Sequence, residues 1–497
     1  MKIFVSGRPF YPETSGGQFG LMRRIVESLS RDFTDIQIDV SVTPFNEGEI
    51  GMRWPACVKR HRLEPENWHM LSEKESEVIS SIDPKWVIRF FPTTEDSYDF
   101  DSSIRVATFI PDLQHVHYPE NFQERELKGR EKSFLRAVQG SDLILTVSES
   151  ARKDIIGHYN CDPRRVMIVF PGGDWDDMEE NEIREGRARL VDKHPSLWKD
   201  GFALYSANNW THKNHAGLLQ AMAILKRSGS PLHLVLTGSD KCSEVPLSKL
   251  IRDAGVEDRV LYLGYVSDAD LKILTKEASF CVFPSLFEGF GIPVLNALGV
   301  GKIVVCSDLP SLREIAGDAA IYFDPANPED MADAMIRTAR ESDTGAGRGA
   351  MGKEKAGRFT YTRAAADLLK YLSLAEELPL FPPNCSDGFM SLKERRLELR
   401  AEQAEEKALR AEERVRQEEE KLRQTEERAS QSEEKALRAE ERVRQEEEKL
   451  RQTEERASQS EEDLRHLRAE LLGVRSSICW RLTAPLRWCD AQREKIF

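Results

Sequence analysis

The sequence predicts an α/β protein with two parallel, doubly wound sheets in succession, followed by a long α-helical arm. Three observations carry that expectation. From the start to about residue 375, short apolar runs of strand length alternate with segments whose apolar residues recur at helical spacing. Glycine turns close several of these runs, as at Gly238-Ser239 and Gly264-Tyr265, on the face of an open α/β sheet where ligands collect. Beyond residue 390 the chain turns strongly charged, and residues 405–432 recur letter for letter at 433–460, an offset of 28.

At 497 residues, 40% of them hydrophobic, the chain is long enough for two or three domains with packed cores. A net charge of −14 speaks against nucleic acid as a partner, which needs a basic face. The eight cysteines form no CxxC pair, and Cys281 and Cys306 lie in apolar runs, a usage that suits a reducing compartment. MKIFVSG enters directly into a strand and is too short for a signal segment, and no run approaches the ~20 apolar residues that span a bilayer. The expected place is the cytoplasm. No metal-ligand cluster is legible.

The first domain is read as residues 1–190. Ile3-Phe4-Val5 forms a buried strand, and Ser15-Gly16-Gly17-Gln18-Phe19-Gly20 leads into a helix marked by Leu21, Ile25 and Leu29. This is not GxGxxG; it is either a tight turn or a loop whose bare Gly16 and Gly17 let a ligand approach the main chain. Strands follow at 36–42, 86–91, 106–110 and 143–147, alternating with helices. The strand at 106–110 ends in Pro111-Asp112-Leu113-Gln114-His115, where Asp112 either caps a turn or faces a ligand, and His115 is either a surface histidine or a site residue. Ser148-Glu149-Ser150 is a helix start. A strand at 166–170 reaches Pro171-Gly172-Gly173-Asp174, and 176–200 is a charged, helical linker.

The second domain is read as 191–378. A strand at 202–206 precedes Asn208-Asn209-Trp210-Thr211-His212-Lys213-Asn214 and a helix carrying Leu218, Leu219, Met222 and Leu225. A lysine beside the positive end of a helix dipole is a misfit that an anion relieves. Strands at 232–238, 260–264 and 303–306 and helices at 331–339 and 362–374 continue the pattern. The organising stretch is 281–302, CVFPSLFEGFGIPVLNALGVGK. Its strand stops at Pro284-Ser285, a turn sets Glu288 among Gly289, Phe290 and Gly291, and a helix begins near Pro293. Strand, glycine turn and helix N-terminus present free N–H groups to an anion.

EGFGIPVLNA resembles the signature of the retaining group 1 glycosyltransferases, family 4, whose GT-B fold sets two Rossmann-like domains across a cleft. The resemblance covers about 1–375. It implies that Glu288 contacts the donor sugar, that Lys213 answers the donor diphosphate, and that Gly16, Gly17, Asn209, Gly238, Phe290, Gly291, Ile292 and Asn296 bind the donor. Asn296 stands where the family has a second glutamate for the ribose, Pro111 where it has a histidine, and Ala207-Asn208 where it has an arginine. The polar role at Pro111 passes to Asp112 and His115. The implied activity is transfer of a sugar, mannose as first choice, from a nucleotide-diphosphate donor to a growing O-antigen-type surface glycan on a lipid carrier, without a metal. The alternatives are an inactive scaffold working through the arm, and another GT-B chemistry such as epimerisation or hydrolysis.

After a linker at 379–390, the arm at 391–471 carries Ala408, Val415, Leu422, Ala429, Ala436, Val443, Leu450, Ala457, Leu464 and Leu471 every seven residues, one seam of a coiled coil. The companion positions are poor, so a single helix laced by i,i+4 ion pairs is the rival to self-association or a partner protein. The tail at 472–497 mixes Trp480 and Trp488 with Arg475, Arg481 and Arg487. It suits an anionic membrane surface, a partner helix, or packing on its own arm.

Overall fold

The computed structural model describes residues 1–7, 16–43, 57–63, 68–93, 96, 100, 103–175, 180–195, 201–240, 245–340, 345–377, 416 and 446–470. Residues 1–384 form one compact unit and 385–497 another. The first unit holds two all-parallel sheets in the GT-B arrangement.

The first sheet runs from β1 (Lys2–Ser6) through β2 (Gln37–Val42), β3 (Val58–Arg62), β4 (Trp86–Arg89), β5 (Arg105–Phe109), β6 (Leu143–Thr146) and β7 (Val166–Ile168), in the spatial order β3-β2-β1-β4-β5-β6-β7. Ile3, Phe4 and Val5 are fully buried because β1 lies mid-sheet with helices on both faces. Edge strand β3, sequence VKRHR, has no apolar alternation and was invisible to a periodicity argument. Its charges suit an edge that must not pair further, and His61 bonds Asp39 on β2 at 2.8 Å.

The second sheet comprises β8 (Phe202–Ser206), β9 (His233–Thr237), β10 (Val260–Tyr262), β11 (Phe280–Phe283), β12 (Val304–Ser307) and β13 (Ala320–Phe323), ordered β10-β9-β8-β11-β12-β13. The strand order reverses between β1 and β4 in one sheet and between β8 and β11 in the other. These are the switch points where loops part and a ligand can enter.

The helix Tyr361–Glu376 returns to the first sheet. Arg105 Nη1 donates to the Ala375 carbonyl at 2.7 Å, Trp86 Nε1 to Glu376 at 3.2 Å, and Thr362 Oγ1 to Asp32 at 2.8 Å. The linker helix spans Glu180–Lys193.

In the second unit, 446–470 is helical. Its less exposed positions are Glu446, Leu450, Thr453, Ala457, Ser460, Leu464 and Leu467, spaced alternately four and three. Short-range pairs such as Arg451–Glu448 at 2.9 Å cover its outer face. Most of the arm, the linker at 379–390 and the tail at 472–497 lie outside the described residues. No described helix is long and apolar enough to cross a membrane.

Candidate active site

The loops after β8 and β11 are stitched together by Asn214. At φ 56° it caps the helix His215–Arg227, its Oδ1 accepting from Gly217 N–H at 3.1 Å. Its Nδ2 donates to the carbonyls of Pro284 at 3.1 Å and Pro325 at 2.9 Å. Leu286 N–H donates to the His212 carbonyl at 2.7 Å. This stitching brings Lys213 Nζ to 2.6 Å from Glu288 Oε1, which also accepts from Ser285 Oγ at 2.8 Å. Lys213 sits in a single 3₁₀ turn before the helix, so its dipole misfit is already answered by Glu288. Burial pushes the Glu288 carboxyl up, but Lys213 and Ser285 outweigh it and hold the group below its ordinary value. Glu288 is a charged carboxylate at neutral pH.

The first sheet supplies the facing wall. Asp112 follows β5 and accepts from Gln114 N–H at 3.1 Å. Burial, reinforced by the Glu288 charge, pushes its carboxyl above the usual range against the pull of that hydrogen bond, Arg130 and Lys213. The two carboxyls thus sit in opposed environments, Glu288 held ionised by its partners and Asp112 penalised by burial. The loop carrying Glu288 is gripped from across the cleft. Ser148 Oγ donates to the Gly289 carbonyl at 2.6 Å, and Tyr118 OH to the Leu286 carbonyl at 2.9 Å. From its own domain Ser311 Oγ donates to the Glu288 carbonyl at 2.7 Å. The cleft between these walls, a cavity of about 350 Å³, is lined by Gly17, Asp112, Asn208, Trp210, Lys213, Glu288 and the turn Gly289-Phe290-Gly291.

The expected residues do not all meet in one cavity. Gly17, Asp112, Lys213, Glu288, Phe290, Gly291 and Ile292 line this cavity, and Gly16 opens the helix behind it. Gly291 has φ 110°, and a Cβ there would lie 2.5 Å from Leu312, so only glycine fits the turn. Asn296 lines an adjoining cavity of about 160 Å³ with Asp174 and Lys272. The other three line neither cavity. His115 is buried against the Phe134 ring, 4.7 Å between centroids. Asn209 spends its amide on Asp240 at 2.8 Å and the Val245 carbonyl at 2.9 Å. Gly238 is packed under the Ala207 backbone. Sequence reasoning did not single out Ser285, Trp210 or Asp174. Trp210, three residues before the site lysine, is 43% exposed.

His212 and His215 flank Lys213, and burial, aided by the Lys213 charge, depresses both to about 4 from 6.5. A histidine depressed in the folded state protonates first in the unfolded one. Its stabilisation is therefore intact above pH 6.5 and drains away as pH falls toward 4. Urea unfolding at pH 7 and pH 4.5 is expected to show a loss that shrinks by about 1–3 kcal/mol in His215→Phe. An unchanged pH slope in that variant contradicts the assignment.

The sequence pattern of the glycosyl transferases group 1 matches residues 187–354, a span holding β8–β13 with both Lys213 and Glu288. Over those residues the chain is similar to that family. The chain is 32% identical over 241 residues to O-antigen chain mannosyltransferase B of Escherichia coli, covering 48% of this chain and 62% of that protein. It is 25% identical over 221 residues to O-antigen chain mannosyltransferase RfbU of Salmonella typhimurium, covering 44% and 56%. The chain thus spans about three fifths of the length of these relatives. The crystal structure of Anabaena HepE in complex with UDP and glucose superposes with TM-score 0.59 over 75% of this chain and all of that one, at 15% identity, a likeness of fold. Within the matched span the site's cation and carboxylate both come from loops at the switch point, and the first sheet's side contributes Gly17 and Asp112. Among the described residues no group of three or more His, Cys, Asp or Glu is placed to hold a metal ion.

Proposed function

We propose that the protein is a retaining hexosyltransferase that moves a sugar, mannose first, from a nucleotide-diphosphate donor to a growing glycan on a lipid carrier. The observation that carries the reading is the Lys213–Glu288 pair at 2.6 Å in a cleft closed by the glycine turn and Asp112. The diphosphate displaces Glu288 from Lys213 and takes the ammonium and the N–H groups that open the helix Ile292–Gly299. Glu288, released, accepts hydrogen bonds from the donor sugar's hydroxyls. The bond from the anomeric carbon to the phosphate oxygen breaks with its electron pair going to the diphosphate. The acceptor oxygen bonds that carbon from the same face, and its proton passes to the leaving phosphate. The likeness to two O-antigen chain mannosyltransferases supports mannose and the glycan acceptor.

A lipid-linked acceptor places the work at a membrane surface, which gives the tail at 472–497 a docking role and the arm a spacer or self-association role. A chain lacking 472–497 that stays in the membrane fraction contradicts the tail's part. Nucleotide release from a panel of sugar nucleotides, with and without membrane-extracted acceptor, tests the activity. The expected result is acceptor-dependent release from one donor, abolished in Glu288→Ala. Release from none, with no donor bound, would leave the inactive scaffold as the reading.

A further inference from the structure

The cavity at Lys213 and Glu288 shares three wall residues, Ser206, Phe283 and Pro293, with the smaller cavity beside it. Given the proposed donor, with its diphosphate at Lys213 and the glycine turn, the ribose is the next unit along. It falls at that shared wall, with the base beyond. Asn296 follows Pro293 by one helical turn, on the same face.

Asn296 is a weak acceptor for two ribose hydroxyls there. Its Oδ1 already accepts the Asp174 N–H at 2.8 Å, which leaves one lone pair on an uncharged oxygen, and its Nδ2 only donates. A charged acceptor stands next to it. The Asp174 carboxylate lines the same cavity and is 29% exposed, so a ligand can reach it. It is gripped from both sides: Arg24, on the first domain's opening helix, pairs with Oδ2, and Lys272, on the helix Asp268–Glu277, reaches Oδ1 at 3.3 Å. A carboxylate offers about four lone-pair sites, so each oxygen keeps one for a hydroxyl. We propose that Asp174 is the residue that holds the donor's ribose diol, with the Asn296 amide donating beside it. This rests on the proposed function and names a specificity determinant within it. Burial alone would raise the Asp174 carboxyl, but Arg24 and Lys272 hold it below its ordinary value, as an acceptor requires.

The test is calorimetric titration of the full chain with GDP and UDP and their 2′-deoxy forms. The wild type is expected to prefer the ribo form of the nucleotide it binds by roughly 10- to 100-fold, the worth of a hydroxyl–carboxylate hydrogen bond. Asp174→Asn is expected to bring that ratio close to one by weakening the ribo form and sparing the deoxy form. An unchanged ratio in Asp174→Asn overturns the inference. So does a wild type that binds a nucleotide without discriminating, and that outcome leaves the transferase reading standing. A wild type that binds neither nucleotide overturns both. Should Asp174→Asn fail to fold on thermal melting, Asn296→Ala decides: it is expected to keep most of the discrimination, and losing all of it overturns the assignment to Asp174.

Discussion

Replacing Lys213 by methionine is expected to lower the turnover number by about 10²–10³, the usual loss when one charge partner of a departing oxyanion is removed. The side chain is held 2.6 Å from Glu288, and among the described residues no other lysine or arginine lines that cavity. The substitution also removes the charge that opposes burial at Glu288, whose carboxyl then rises and titrates closer to neutrality. Two readouts separate this from simple unfolding. The acid limb of the pH–rate profile moves up, and stability falls by only about 1–3 kcal/mol, because Ser285 still holds the carboxylate. Lys213→Arg keeps the charge on a planar fork and is expected to restore donor binding more than turnover. A methionine variant with wild-type turnover would remove the lysine from the chemistry.

Gly289→Ala is expected to be nearly as damaging with no charge changed. A Cβ at this position would lie 2.8 Å from Asp112 Oδ2 and 3.0 Å from the Pro111 carbonyl, both from the facing sheet. Gly289 is not among the positive-φ residues, so alanine fits the backbone and the whole cost is a clash across the cleft. The two sheets must part by a fraction of an ångström, which shifts Asp112 away from Glu288 and breaks the registry set by Ser148 on the Gly289 carbonyl. Misplacement on that scale costs about 10²-fold in rate. Steady-state kinetics and thermal melting distinguish this from collapse: kcat/KM falls while stability drops by about 1–3 kcal/mol, the common cost of overpacking. Full activity would mean that the cleft works in a more open state than the one described.

Local patterns made the second sheet and its central turn legible. In FCVF followed by PS and EGFG, apolar periodicity, a proline stop and glycine spacing all point to strand, turn and helix, and β11 with the helix Ile292–Gly299 follows. Where the determinants were distant, sequence alone failed. The helix Gly345–Ala356 reads GAGRGAMGKEKA, a poor helix former by propensity. It forms because its glycines permit close contact: Gly349 abuts the Gly301 carbonyl, and Gly352 leaves room for Leu298. Edge strand β3 has no apolar face to announce it. At the site, Lys213 and Glu288 were readable because each lies inside a short pattern. Asp174 was not, because its partners Arg24 and Lys272 are 150 and 98 residues away in sequence. His115 could have faced the cleft or the interior on pattern alone, and its ring packing with Phe134 decided the matter.

The most direct test of sugar transfer is the product itself. Wild-type protein, the active sugar nucleotide and the purified lipid-linked acceptor are incubated, and the glycan is analysed by mass spectrometry and proton NMR. The account predicts an acceptor heavier by one hexosyl residue, a hexose less one water, joined with the same anomeric configuration as the donor. Free sugar with an unchanged acceptor, or a linkage of inverted configuration, would contradict it.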